Sequence, residues 1–239
     1  MASGIAGPRD WQGALARLRS ETRADARRRE VLALVDSMNL DPEGNPTKLC
    51  AGEVVSETPR AAVFRAILTE DECGHVMKVA SSDFQPSLVF NSDRKLVRDT
   101  IRTSDGSTLH WLIEDPAVHA LNRRVAAASS SNYDCGEALQ VLRYQPGQEY
   151  RPHFDFVASA TNRRMMTALI YLNEAYDGGA TSFVQTDTRF KGSTGDMFLF
   201  HNAGPDGGPD PMSEHAGLPV TNGVKYLATR WIREARWIP

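Results

Sequence analysis

The first forty residues space their apolar side chains three to four apart: Trp11, Leu15 and Leu18 in one run, then Val31, Leu32, Val35 and Met38 in the next. That period predicts helix, with one face turned to a core. LDPEGNPTK at 40–48 ends the pattern with two prolines and a glycine, which interrupt helical hydrogen bonding and order. Beyond 60 the texture changes. AAVFRAIL predicts a strand, and TEDECGHVMKVASS predicts a helix that opens with Thr69 and Glu72. Residues of those types three apart form a capping box, each side chain satisfying a backbone N–H of the first turn. The stretch 86–112 is polar and mixed, with RTSDGS reading as a turn or loop. DPAVHALNRRVAAASS then predicts a further helix, capped by Asp115 and carrying Pro116 in its first turn, where a missing N–H costs nothing.

The last hundred residues follow a different rhythm. ALQVLRY, EYRPHFDFV, RMMTALIYL, ATSFV, GDMFLFHN and VKYLATRWI are short strand-like runs, broken by PGQ, DGG, KGSTG and AGPDGGPDP. Many short strands without intervening helices indicate a sandwich or barrel. The predicted class is therefore α+β, helices first and a β core after them.

Composition narrows the partners more than the fold. A chain of 239 residues, 41% hydrophobic and 24% charged, can bury a full globular core. Its net charge of −3 supplies no field for nucleic acid or a membrane surface, so neither is expected as a partner. The basic run RADARRRE reads as one solvated helix face. Cys50, Cys73 and Cys135 are an odd set without metal spacing, which favours a reducing compartment over a disulfide framework. With no secretory pattern at the start and no apolar run of membrane-spanning length, the expected location is cytoplasmic.

The chemistry concentrates in RPHFDFV, residues 151–157. On a strand, His153 and Asp155 share one face and Phe154 and Phe156 the other. A carboxylate turned inward needs a partner; an isolated HxD, however, is also an ordinary surface pair. A third ligand would decide. His201 in FLFHN and His215 in SEHAGLPV are both available, although His201 ends a strand beside a Gly/Pro loop, where a hydrogen-bonded structural histidine is common. Ten residues past His215, Lys225 shares a strand face with Leu227, Thr229 and Trp231, opposite Val224, Tyr226, Ala228 and Arg230. A lysine among apolar residues asks for an anion. Two histidines and one carboxylate on one side of a metal suit non-haem iron(II) and oxygen, and an inward lysine suits an organic acid. A zinc hydrolase could use the same three ligands but would leave Lys225 unexplained.

Longer strings extend the pattern. LQVLRYQPGQEYRPHFDF, RMMTALIYLNEAYDGGATSF, KGSTGDMFLFHN and SEHAGLPVTNGVKYLATRWI, together with VFRAILTEDEC and IRTSDGS, resemble the prolyl 4-hydroxylase branch of the iron(II)- and 2-oxoglutarate-dependent dioxygenases over roughly 62–233. The resemblance implies a double-stranded β-helix, or jelly roll, backed by the N-terminal helices. His153, Asp155 and His215 are the implied iron(II) ligands, and Lys225, with Tyr144 and Thr167 as helpers, is the implied holder of the far carboxylate of 2-oxoglutarate. O2 is the second co-substrate, ascorbate an accessory reductant, and succinate and CO2 are the by-products of hydroxylation.

On the substrate side the resemblance implies Arg102, Ser104, Glu137, Tyr150 and Trp231. Each also has a structural reading: Trp231 as barrel filling, Glu137 in an ion pair, Arg102 bracing a loop. SLVFNSDRKLVRDTIRTSDGS has the character of a loop able to close over a bound chain. The expected organisation is a helical extension at 1–60, packed on the core, dimerising or carrying a partner surface, and a dioxygenase domain at 61–239 with its jelly-roll core at about 138–233. The expected substrate is a prolyl residue in a peptide or protein. A free amino acid or natural-product intermediate is the alternative that the short Asp155–Thr167 connection favours, and a non-catalytic binding module is the third reading.

Overall fold

The computed structural model describes residues 9–90, 96–111, 113–157, 161–186 and 188–237. Its helices are α1 (Trp11–Glu21), α2 (Ala26–Ser37), α3 (Glu70–Ala80) and α4 (Pro116–Ala128). Local chemistry starts each one. Asp10 accepts from the Gly13 N–H and Asp25 from that of Arg27, while Asp115 accepts from Val118 at the Pro116 start. Thr69 and Glu72 complete the reciprocal capping box. None of these helices is long and apolar enough to cross a membrane.

The strands are β1 (Glu53–Glu57), β2 (Arg60–Phe64), β3 (Gln85–Pro86), β4 (Val89–Phe90), β5 (Leu96–Val97), β6 (Asp105–Leu109), β7 (Leu139–Tyr144), β8 (Tyr150–His153), β9 (Arg164–Tyr171), β10 (Tyr176–Gly178), β11 (Thr181–Phe183), β12 (Arg189–Phe190), β13 (Met197–His201), β14 (His215–Gly217), β15 (Val220–Gly223) and β16 (Lys225–Arg233). An eight-stranded major sheet runs in the order β1-β2-β13-β9-β16-β7-β6-β3, and a four-stranded minor sheet in the order β12-β11-β14-β8. β10 pairs with β15 and β4 with β5, all antiparallel.

Strand alternation gives the major sheet two apolar faces. Leu139, Val141, Ala168, Ile170, Leu172, Met197, Leu199, Ala228 and Ile232 join the helices in one hydrophobic cluster. Their strand neighbours Leu142, Tyr144, Leu169, Tyr171, Phe198, Phe200 and Leu227 form a second cluster with Phe183 and Val220 from the opposite layer. Two antiparallel sheets closed on an aromatic centre are the expected double-stranded β-helix. Phe183 lies 5.8 Å from Phe198 and 5.3 Å from Phe200, and Phe190 stacks on Phe198 at 4.7 Å, offset and edge-on arrangements that aromatic quadrupoles favour.

Several expectations change. RTSDGS is not a loop throughout: Asp105–Leu109 pairs with β7 inside the major sheet, and that pairing overrides the turn-prone composition. AAVFRAIL is a strand only to Phe64, because the chain then turns through Ala66 at φ 46°, whose N–H donates to Asp196. β8 ends at His153, so Phe154 does not anchor a continuing strand; it is exposed, while Phe156 is buried. The division expected at residue 60 falls within the β1–β2 hairpin, and Trp11, Leu15, Val31 and Val35 share the sheet's outer core. Of the loop expected to close over substrate, residues 91–95 lie outside the described residues, as do 158–160 of the Asp155–Thr167 connection and 1–8 of the N-terminal extension.

Phe198 is 1% exposed at the centre of the inter-sheet cluster. Phe198→Ala is expected to destabilise the protein by about 3–5 kcal/mol, read as a lowered denaturant midpoint with unchanged slope.

Candidate active site

β8 and β14 are neighbours in the minor sheet with His153 directly opposite His215, and Asp155 follows two residues beyond His153. One ligand atom from each residue lies within 4.8 Å of the others. Asp155 oxygens stand 3.8 Å from His153 Nε2 and 3.7 Å from His215 Nε2, too far for hydrogen bonds and close enough to share a cation. The other ring nitrogens are engaged: His153 Nδ1 meets the Arg151 carbonyl at 2.8 Å and His215 Nδ1 the Ser213 carbonyl at 3.0 Å. A carbonyl only accepts, so each Nδ1 carries a proton and each Nε2 is the atom left to face the group.

Packing fixes both rings. Tyr150 stacks on His153 at 3.4 Å and 13°, while Phe200 meets His215 edge-on at 4.7 Å. Burial and the nearby His215 push the His153 pKa well down, favouring the neutral imidazole that a metal needs. Burial works against the Asp155 charge, but His215, His153, Arg164 and a hydrogen bond from Thr167 together hold its pKa below the ordinary value. The donor set, two imidazoles and one carboxylate, fits a divalent iron ion.

Thr167 has a different neighbour from the one expected. Its hydroxyl donates to Asp155 Oδ2 at 2.7 Å and accepts from Asn202 Nδ2 at 2.8 Å. It is fully buried and orients the carboxylate rather than lying beside Lys225. His201 is not in the metal-holding group; it ends β13 opposite Met166, half-buried.

Lys225 lies at the far end of β16, 2% exposed, and donates to the Gly179 carbonyl at 2.7 Å. Its ammonium stands 5.4 Å from the ring centres of both Tyr144 and Tyr171. Thr181, which the sequence reading missed, is also buried here, its hydroxyl 3.1 Å from that of Tyr171. No carboxylate pairs with Lys225 among the described residues, and burial together with Lys191 lowers its pKa from 10.5 to about 7. A buried ammonium with only neutral partners is a receptor for an anion. Tyr144 completes the wall, its pKa raised by burial against the opposing influence of Arg102 and Ser104.

Above the triad opens a cleft of about 500 Å³, lined by Arg102, Glu137, Tyr150, Trp231 and the ligands His153 and Asp155. Four of the five expected substrate residues therefore meet there. Ser104 does not line it: it is 1% exposed and hydrogen-bonded to Ser87 at 2.9 Å. Arg102 donates to Gln140 at 2.9 Å and lies 4.9 Å over Tyr150. Glu137 is ion-paired on both sides, accepting from Arg164 and from Arg233 at 2.9 Å. Arg164 in turn lies 3.8 Å over Trp231. Arg164 and Trp237 also line the cleft; Arg164 opens the RMMTALIYL string without a role of its own there, Trp237 stands in no motif, and their spatial neighbours reveal them.

The chain matches the model of the 2OG-Fe(II) oxygenase superfamily over residues 139–233. It is 35% identical over 202 residues to prolyl 4-hydroxylase 1 of Arabidopsis thaliana, covering 76% of this chain and 71% of that one. The structure of the viral collagen prolyl hydroxylase of Paramecium Bursaria Chlorella virus-1 with 2OG has a TM-score of 0.59 and 25% identity, covering 73% of this chain and 96% of the viral one. A prolyl hydroxylase from Trichoplax adhaerens, 17% identical with a TM-score of 0.57, covers 74% of this chain and 84% of its own and shares the fold.

Two measurements probe this site. Thr167→Val removes the hydroxyl that orients Asp155, and iron(II) affinity is expected to fall roughly 10- to 100-fold in a metal titration. Lys225 is the second. Its folded pKa lies below the unfolded value, so the unfolded state binds more protons between pH about 7 and 10.5. Apo-protein stability is therefore expected to rise with pH across that window and to stop changing on this account below it. Lys225→Met should flatten the rise in denaturation measurements taken from pH 7 to 9.

Proposed function

Since this chain belongs to the prolyl 4-hydroxylases of the 2OG-Fe(II) oxygenase superfamily, we propose that it hydroxylates a prolyl residue of a peptide or protein in the cleft above His153, Asp155 and His215. The observation that carries this reading is a buried two-histidine, one-carboxylate group and a buried lysine without an anion inside the same β-helix. His153, Asp155 and His215 would hold iron(II), which when bound would supply the activation of O2 that couples oxidative decarboxylation of 2-oxoglutarate, to succinate and CO2, with C–H hydroxylation.

The protein's own residues do the rest. Lys225 takes the far carboxylate of the co-substrate in a charge-assisted hydrogen bond, with the rings of Tyr144 and Tyr171 beside its ammonium and the Thr181 hydroxyl on that of Tyr171. The anion restores the ammonium's charge, so binding draws in a proton wherever Lys225 is neutral beforehand. Phe183, Phe198 and Phe200 fill the core alongside the triad and keep water from it. On the substrate side, Arg102 Nε and Trp231 Nε1 are buried donors without a partner among the described residues. Both belong to side chains that line the cleft, and backbone carbonyls of a bound peptide would satisfy them. The Glu137–Arg164 pair steadies Trp231: with Glu137 ion-paired to it, Arg164 stays over the indole.

The test is succinate formation from 2-oxoglutarate with iron(II), comparing a proline-rich peptide with free proline. Turnover that depends on the peptide is expected; turnover with free proline alone would move the substrate to the amino-acid class. Lys225→Ala should raise the 2-oxoglutarate concentration needed by at least tenfold, as expected for loss of a charge-assisted hydrogen bond of about 1.5–3 kcal/mol, with iron affinity little altered. His215→Ala should abolish turnover and His201→Ala should not.

A further inference from the structure

The segment after β16 leaves the last residue of the matched family region, Arg233, and is fastened at nearly every step. Glu234 N–H donates to the Arg163 carbonyl at 3.0 Å, and its carboxylate accepts from the Arg163 guanidinium at 2.7 Å and 3.0 Å. Asn162 brackets the next two residues: its amide donates to the carbonyls of Ala235 at 3.1 Å and Arg236 at 3.0 Å, and its oxygen accepts from the Ala235 N–H at 3.1 Å. Trp237 N–H donates to the Asp134 carbonyl at 2.8 Å. These contacts spend backbone and polar groups only. The Trp237 indole is left half-buried in the wall of the substrate cleft, which it shares with Trp231, Phe154 and Val157.

The fastening points matter as much as the ring. Asn162 and Arg163 lie on the short connection that carries the chain from Asp155 to β9, and Arg163 also donates to the Gly207 carbonyl at 2.8 Å and lies 5.8 Å from the Phe156 ring. The strap thus braces the side of the cleft nearest the metal-holding residues. A second indole on a braced wall, facing a cleft whose other indole is Trp231, is a platform for a flat ring.

We propose that Glu234–Trp237 is a substrate-binding strap and that Trp237 is a specificity-determining residue, seating the ring of a proline that neighbours the hydroxylated one. This rests on the prolyl-peptide reading above. A pyrrolidine ring offers an apolar face at low ordering cost, because proline-rich segments are already extended, and aromatic-lined grooves recognise them for that reason. Trp237 contributes no group to the reaction; it acts on substrate affinity and on the choice among peptides.

The experiment measures hydroxylation of a peptide with consecutive prolines and of one with a single proline among alanines, for the wild type, Trp237→Ala, Trp237→Phe and Asn162→Ala. With Trp237→Ala the KM for the proline-rich peptide is expected to rise roughly three- to tenfold, with kcat at saturation within about twofold, while the single-proline peptide changes little. Trp237→Phe should recover most of the affinity. Asn162→Ala, which loosens the strap and keeps the indole, should move KM in the same direction by less. An unchanged KM in Trp237→Ala, or an equal rise for both peptides, overturns the role of Trp237 and leaves the prolyl reading standing. A wild type that hydroxylates neither peptide overturns both together.

Discussion

Strand alternation in the major sheet is the constraint from which the rest follows. Every second residue of β7, β9, β13 and β16 belongs to the helix-backed core, and every other one to the space between the sheets. On β16 this sends Ala228 and Ile232 to the helices and places Lys225, Leu227, Thr229 and Trp231 on the interior side. One strand therefore carries the anion receptor at one end and the aromatic floor of the cleft at the other. A register slip of one residue would exchange Lys225 for Val224 or Tyr226 and lose both functions at once. The helices thus serve the chemistry indirectly: by covering the outer face they hold the register that sets the inner one.

Polar groups inside the protein obey a stricter rule, since each must find a partner or cost free energy. Most are matched internally. Glu137 meets Arg164 and Arg233, Asp155 meets Thr167, and Thr167 meets Asn202. On the helix side Glu114 accepts from Tyr133 and pairs with His119, while Arg230 donates to the Tyr133 carbonyl beneath Gly136, where a Cβ would come within 2.2 Å of its guanidinium. Among the described residues the exceptions fall both outside the site, as at Asn122, Arg143 Nε and the Tyr176 hydroxyl, and within it, at Arg102 Nε and Trp231 Nε1, where the Lys225 ammonium also has a carbonyl but no anion for a partner. Those within the site lie where co-substrate and substrate would supply what is missing.

This separation explains why motif residues divide so cleanly in role. Thr167 and Ser104 sit among the motif strings yet act through others, one orienting Asp155 and the other hydrogen-bonding Tyr144. Thr181 sits in the same strings without a role announced, and Trp237 lies outside them, and yet one meets the Tyr171 hydroxyl near Lys225 and the other borders the cleft. Being present in a motif string and reaching the reacting space are different properties, and burial with named partners tells them apart.

The helix starts at Asp10, Thr69 and Asp115 were legible in the sequence because capping is local, decided within three or four residues. The facing of Lys225 with Leu227 and the pairing of His153 with Asp155 were legible for a similar reason, since i and i+2 need no knowledge of the fold. Other features depended on residues far away in the chain. Asp105–Leu109 is a strand only because β7 lies beside it, His215 rather than His201 completes the metal-holding group because β14 pairs with β8, and Trp237 reaches the cleft because Asn162 and Arg163 hold the strap. Local periodicity and spacing thus determined which side chains travel together, whereas long-range hydrogen bonding and packing decided which of those sets meet. A sequence encodes the first through short-range sterics; the second is a free-energy balance struck only when the sheets close.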